Sequence, residues 1–123
     1  MILALPAVAG ARSASCRSPA APVAGRFFAH TSLGGRTLGD RLRAAGYVDP
    51  GERWIAGEVL AWGWGRQATP AATVRAWMAS PPHRRLLRDR DYRQVGVGVV
   101  PGAPVAHPAG PDATYAAELA TRW

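Results

Sequence analysis

The chain predicts an α+β fold. Three observations carry that expectation: helical spacing of apolar residues in the first half, an alternating Val-Gly run near residue 95, and a further extended run at the carboxyl end able to pair with it. At 123 residues there is room for one small domain with a core of its own. Hydrophobic residues make up 48% and charged residues 19%, as in folded proteins, while 14 Gly and 11 Pro imply many turns and short elements.

Residues 1 to 11, MILALPAVAGA, are apolar, too short to span a membrane and of the length of a signal-peptide core, yet no basic leader precedes them. Two readings stay open: an export signal of atypical form, with the small residues of ARSAS as cleavage site, or a displaced start. Residues 12 to 25 are rich in Ser, Pro and Ala without an apolar period and read as a linker or disordered arm, so the folded unit is expected over 26–123. The single cysteine, Cys16, excludes an intrachain disulfide.

Thr37 can cap a helix over LGDRLRAAG, where Leu38, Leu42 and Ala45 share a face and Gly46 supplies the stop. Residues 53 to 65, RWIAGEVLAWGWG, read as an extended segment or a tight loop pressed into a core. Thr69 as cap and Pro70 at the first helical position start a second helix, which Pro81 and Pro82 end. HRRLLRDRDY then offers a further turn or two with Leu86 and Leu87 inward. RQVGVGVV is a strand, GAPVAHPAGPD a hairpin loop, and ATYAAELATRW the strand that pairs back.

The net charge is +7 and the pI about 11.2. All 15 basic residues are Arg in a chain rich in Ala, Gly and Pro, so compositional bias explains much of that charge. Arg84, Arg85, Arg88, Arg90 and Arg93 form the one dense basic run, broken by Asp89 and Asp91. A solvated helical face is the plain reading, an anionic-surface partner the alternative; nucleic acid is not expected, because no binding motif accompanies the charge. Trp62 and Trp77 are expected in the core, and Trp64, between two glycines, exposed.

Of the 3 histidines, His107 is expected in solvent within its Pro-rich loop, while His30 and His83 stand at the edges of elements. Glu58, flanked by WIAG and VLAW, must either point outward or be paired, since an unpaired buried charge costs several kcal/mol. His, Glu and His without short spacing are a weak zinc pattern.

FFAHTS, GEVLAWG, TPAATVRAWMASPPHRRLL, VGVGVV and TYAAELATR follow one another in an order and spacing similar to the bacterial branch of the CAP superfamily of SCP-like domains (cysteine-rich secretory proteins, antigen five and pathogenesis-related proteins). The resemblance implies an αβα sandwich around a small antiparallel sheet. It also implies a cleft walled by His30, Glu58 and His83, with Ser80 at the position where eukaryotic members often carry a second Glu. His30, Glu58 and His83 would be the ligands if the cleft held zinc. Val59 replaces the usual Asn after Gly-Glu, and Pro82 the usual Gly before the second histidine. The helix that opens the family's domain has no counterpart in residues 1–25, which implies an N-terminally truncated sandwich with an uncovered apolar surface and low stability.

For function the resemblance implies a secreted binding module, outside the cell or in its envelope, that is monomeric and recognises an extracellular ligand such as an envelope component or lipid. The alternative is a metal-assisted hydrolase using the same cleft and zinc.

Overall fold

The computed structural model describes residues 35–123. The expected leader and linker, the stretch where no counterpart of the family's opening helix is expected, and the FFAHTS segment with His30 lie outside the described residues.

Thr37 caps α1 (Leu38–Ala44): its hydroxyl accepts the Asp40 N–H at 3.2 Å while the Asp40 carboxylate accepts the Thr37 N–H at 2.9 Å, a reciprocal capping box. Gly46, at φ +67°, stops it as the sequence predicts. β1 (Trp54–Trp64) follows, then a 3-10 turn (Gly65–Ala68) folded back onto it. In α2 (Pro70–Ala79) Thr69 caps the Ala72 N–H at 3.2 Å. The two prolines do end α2, and they also begin α3 (Pro81–Leu87), occupying the first helical positions, where a missing N–H costs nothing. β2 (Gln94–Pro101) and β3 (Asp112–Arg122) complete the domain.

The sheet is antiparallel with strand order β1-β3-β2. The expected pairing of the Val-Gly strand with the last strand is present, from Gln94↔Ala120 to Pro101↔Ala113. Residues 53–65, ambiguous in sequence, form the other edge, paired along their length from Trp54↔Arg122 to Trp64↔Asp112. β3 is therefore central, and Ala113 through Thr121 are buried without interruption because both faces are covered.

On one face α1 packs Leu38 and Leu42, with Tyr47 and Val48 beyond it, against Trp54, Ala56 and Ala120. On the other, α2 and α3 bring Trp77, Leu86 and Leu87 against Val59, Ala117 and Val95. This is the αβα sandwich of the expectation. Gly63 marks a close approach: a Cβ there would lie 2.3 Å from the Gln67 carbonyl oxygen of the 3-10 turn. No helix among the described residues is long and apolar enough to cross a membrane.

Candidate functional site

The polar centre is built where α1 crosses the sheet. Arg41 lies on the inward side of α1, beside Leu42 and one turn after Leu38, and is 2% exposed. Beneath it the β1–β3 register sets Glu58 directly opposite Glu118, so two carboxylates project from neighbouring strands on one face. Arg41 joins them: its Nη2 donates to Glu58 Oε2 at 2.5 Å and stands 3.6 Å from Glu118 Oε1. The two carboxylate side chains are 6% and 9% exposed. Glu118 Oε1 accepts no hydrogen bond. Burial, reinforced by the Glu58 charge, pushes the Glu118 carboxyl above the usual glutamate range, with Arg41 opposing the shift. Glu58 thus takes the paired branch of the sequence expectation.

Ser80 and His83 meet at the α2–α3 junction, where the serine hydroxyl lies 2.8 Å from His83 Nδ1. Ser80 spends that contact on the imidazole and caps no backbone N–H of α3. Strand alternation separates this pair from Glu58. Glu58 shares its face with Trp54 and Ala56, under α1, while a Cβ at neighbouring Gly57 would meet Leu86 of α3, across the sheet. Glu58 and the Ser80–His83 pair are therefore set by helices on opposite faces.

A third polar group closes the loop between β2 and β3. His107 Nε2 lies 2.8 Å from Asp112 Oδ2 and Nδ1 2.8 Å from the Pro108 carbonyl, so both ring nitrogens face acceptors and the imidazolium is favoured. The Pro108 hydrogen bond, then that of Asp112, raises its pKa; the same contact lowers that of Asp112. The His107 side chain is 13% exposed, which corrects the expectation of a solvent histidine. The ring stacks on Trp64 at 5.7 Å between centroids, and Trp64 on Trp62 at 5.8 Å. Trp64 is 41% exposed and Trp77 only 5%, as their sequence contexts predict, while Trp62 is half-buried.

The description "CAP: Cysteine-rich secretory protein family" matches residues 4–107. The chain belongs to the CAP family. The match begins well before residue 26 and so takes in most of the stretch expected as leader and linker. Two solved structures share the fold. An extracellular protein containing a SCP domain, from Bacillus anthracis, is 21% identical at a TM-score of 0.65, over 89% of this chain and 31% of that protein. An outer surface protein from Borrelia burgdorferi is 19% identical at a TM-score of 0.67, over 99% of this chain and 78% of its own. The CAP chain thus spans about a third of the Bacillus protein. No curated protein sequence matches it.

Zinc, the metal the resemblance raised, does not fit the described residues. Glu58 has given an oxygen to Arg41, whose guanidinium keeps its charge at any working pH and opposes a second cation. No group of three or more His, Cys, Asp or Glu side chains able to hold a metal occurs among the described residues. Arg41, Glu118 and the His107–Asp112 pair are the polar residues that sequence reasoning missed. Glu118 carried a signal, being the lone charge inside an otherwise apolar strand, TYAAELAT.

Proposed function

We propose that this CAP domain is an exported interaction module whose internal charge cluster is architectural rather than catalytic. The observation that supports it best is the state of Glu58: its carboxylate is sealed between α1 and the sheet and engaged by Arg41. A general base or metal ligand must reach a substrate or a water, and a carboxylate 6% exposed beneath a guanidinium is poorly placed to do so. Export is supported by the apolar start of the chain and by the two structural neighbours, one an extracellular protein and the other an outer surface protein. His83 and Ser80, on the face away from Glu58, would supply with His30 a polar lining toward an extracellular ligand such as an envelope component or lipid.

The deciding experiment is calorimetric titration of the purified chain with zinc, run on wild type, His30→Ala and Glu58→Gln. The expected result is binding no tighter than on the order of 1 mM for all three. A site in the micromolar range that either substitution abolishes would return the cleft to metal chemistry and overturn the proposal.

A further inference from the structure

A hollow of about 480 Å³, wide open to solvent, lies on the outer side of α3, lined by Pro81, Arg84, Arg85, Arg88 and Asp89. The three arginines are exposed, and none forms an ion pair among the described residues. Arg84 is steadied by donating from Nη1 to the Met78 carbonyl at 3.3 Å, across the end of α2. α3 itself is fixed to the core through Leu86 and Leu87, so the arginines project from an anchored element.

Arg84 and Arg88 are four residues apart, and Arg85 and Arg88 three, spacings at which like charges repel on a helix. Cations near a helix C-terminus are favourable, but that accounts for their presence and not for their gathering around a hollow. Three guanidinium forks with no carboxylate partner match a tetrahedral oxyanion, whose several acceptors can be taken from more than one side. Asp89, on the same wall, would repel a bare anion yet accept from a hydroxyl; one of its oxygens takes the Asp91 N–H at 2.9 Å. A ligand suited to both features carries phosphate and hydroxyl groups together.

We propose that the α3 cavity binds the phosphate group of a polyol phosphate, with Arg84, Arg85 and Arg88 holding the phosphate and Asp89 a hydroxyl. This names a ligand class for the interaction module and rests on that reading for its setting. Zinc titration tests the module and phosphate titration tests the cavity, so either can fail alone. The same chemistry is offered by a soluble glycerol phosphate and by a phosphatidylglycerol headgroup, and the experiment separates them.

The full chain is titrated with glycerol 3-phosphate, and separately sedimented with vesicles of phosphatidylglycerol in phosphatidylcholine or of phosphatidylcholine alone. Each is repeated with Arg85→Gln/Arg88→Gln, with Arg88→Gln alone, and with Arg90→Gln/Arg93→Gln, which removes equal charge from the same basic run outside the cavity. The expected result is saturable binding of at least one probe, weakened about tenfold or more by the cavity double variant, less by the single one, and within about twofold of wild type in the control. Capture by the phosphatidylglycerol vesicles identifies the headgroup as the source; titration by glycerol 3-phosphate alone identifies a soluble ligand. Absence of saturable binding to either probe, or equal weakening by the control variant, overturns the site.

Discussion

Replacing Arg41 with Met tests whether the internal cation holds the sandwich together. Arg41 is 2% exposed, so the substitution exchanges one buried side chain for another of similar length and leaves α1 its apolar contacts through Leu38 and Leu42. What it removes is the positive charge between Glu58 and Glu118, two carboxylates directly opposite in the β1–β3 register. Removing one partner of a buried ion pair costs about 3–5 kcal/mol, because the remaining charge is left desolvated. In a domain of this size that lowers the melting temperature by roughly 15–30 °C.

The sign of the pH dependence follows from Glu118. Its native pKa is raised, chiefly by burial, so the folded chain holds that proton more tightly than the unfolded chain, and stability falls as pH rises through the native value. Arg41 opposes the rise; without it the fall is steeper and extends to higher pH. Urea unfolding followed by tryptophan fluorescence should therefore show Arg41→Met closer to wild type at pH 5 than at pH 8, with part of the loss recovered in Arg41→Met/Glu118→Gln. A loss below about 1 kcal/mol, with an unchanged pH slope, would refute the role given to the guanidinium.

Gly63→Ala should cost about 3 kcal/mol, since the new Cβ would lie 2.3 Å from the Gln67 carbonyl oxygen and 2.6 Å from its carbon, backbone atoms that no rotamer change can move; an unchanged urea midpoint would contradict the close approach. The His107 ring should titrate above the ordinary histidine value in a proton NMR experiment. Trp64 fluorescence should follow the same midpoint and lose that transition in His107→Gln. Because this pKa is raised, the contribution of His107 to stability is fully present below the unfolded histidine value and fades as pH rises through the native one. A ring titrating at or below the ordinary value would remove the imidazolium.

The helices were legible because their signals are local. Thr37 with Asp40, and Thr69 with Pro70, carry their capping chemistry within four residues, and Gly46 stops α1 through its own φ. α3 was half legible: two prolines that end one helix are equally good at starting the next, and sequence does not say which. The sheet order was not legible, because pairing is non-local. The run WIAGEVLAWGW is apolar on both faces and fits a strand or a packed loop until β3 is known to lie beside it. The polar centre was missed for the same reason. Glu58 had either to point outward or to be paired, and sequence did not choose, because the partner sits on another element: only the register brings Glu118 and the α1 crossing brings Arg41 to it. Of the residues that the resemblance picked out, Ser80 and His83 adjoin each other within one helix junction, whereas their relation to Glu58 depends on which face of the sheet each helix covers.

A chain with no lysine must use arginine for every permanent positive side-chain charge, and burial divides the work. Arg41, 2% exposed, stands between two carboxylates and holds a helix to a sheet. Arg84, Arg85 and Arg88 have the same head groups without such partners, in a hollow open to solvent. A guanidinium inside the fold is held by the charges folding brings to it and is closed off from any ligand; one at the surface without a carboxylate partner keeps most of its donors for what arrives from outside. The same contrast explains why charge counting misleads for this sequence. The net +7 locates no site, whereas burial and ion pairing mark the arginine that maintains the CAP sandwich, and a shared hollow marks the three that are placed to bind.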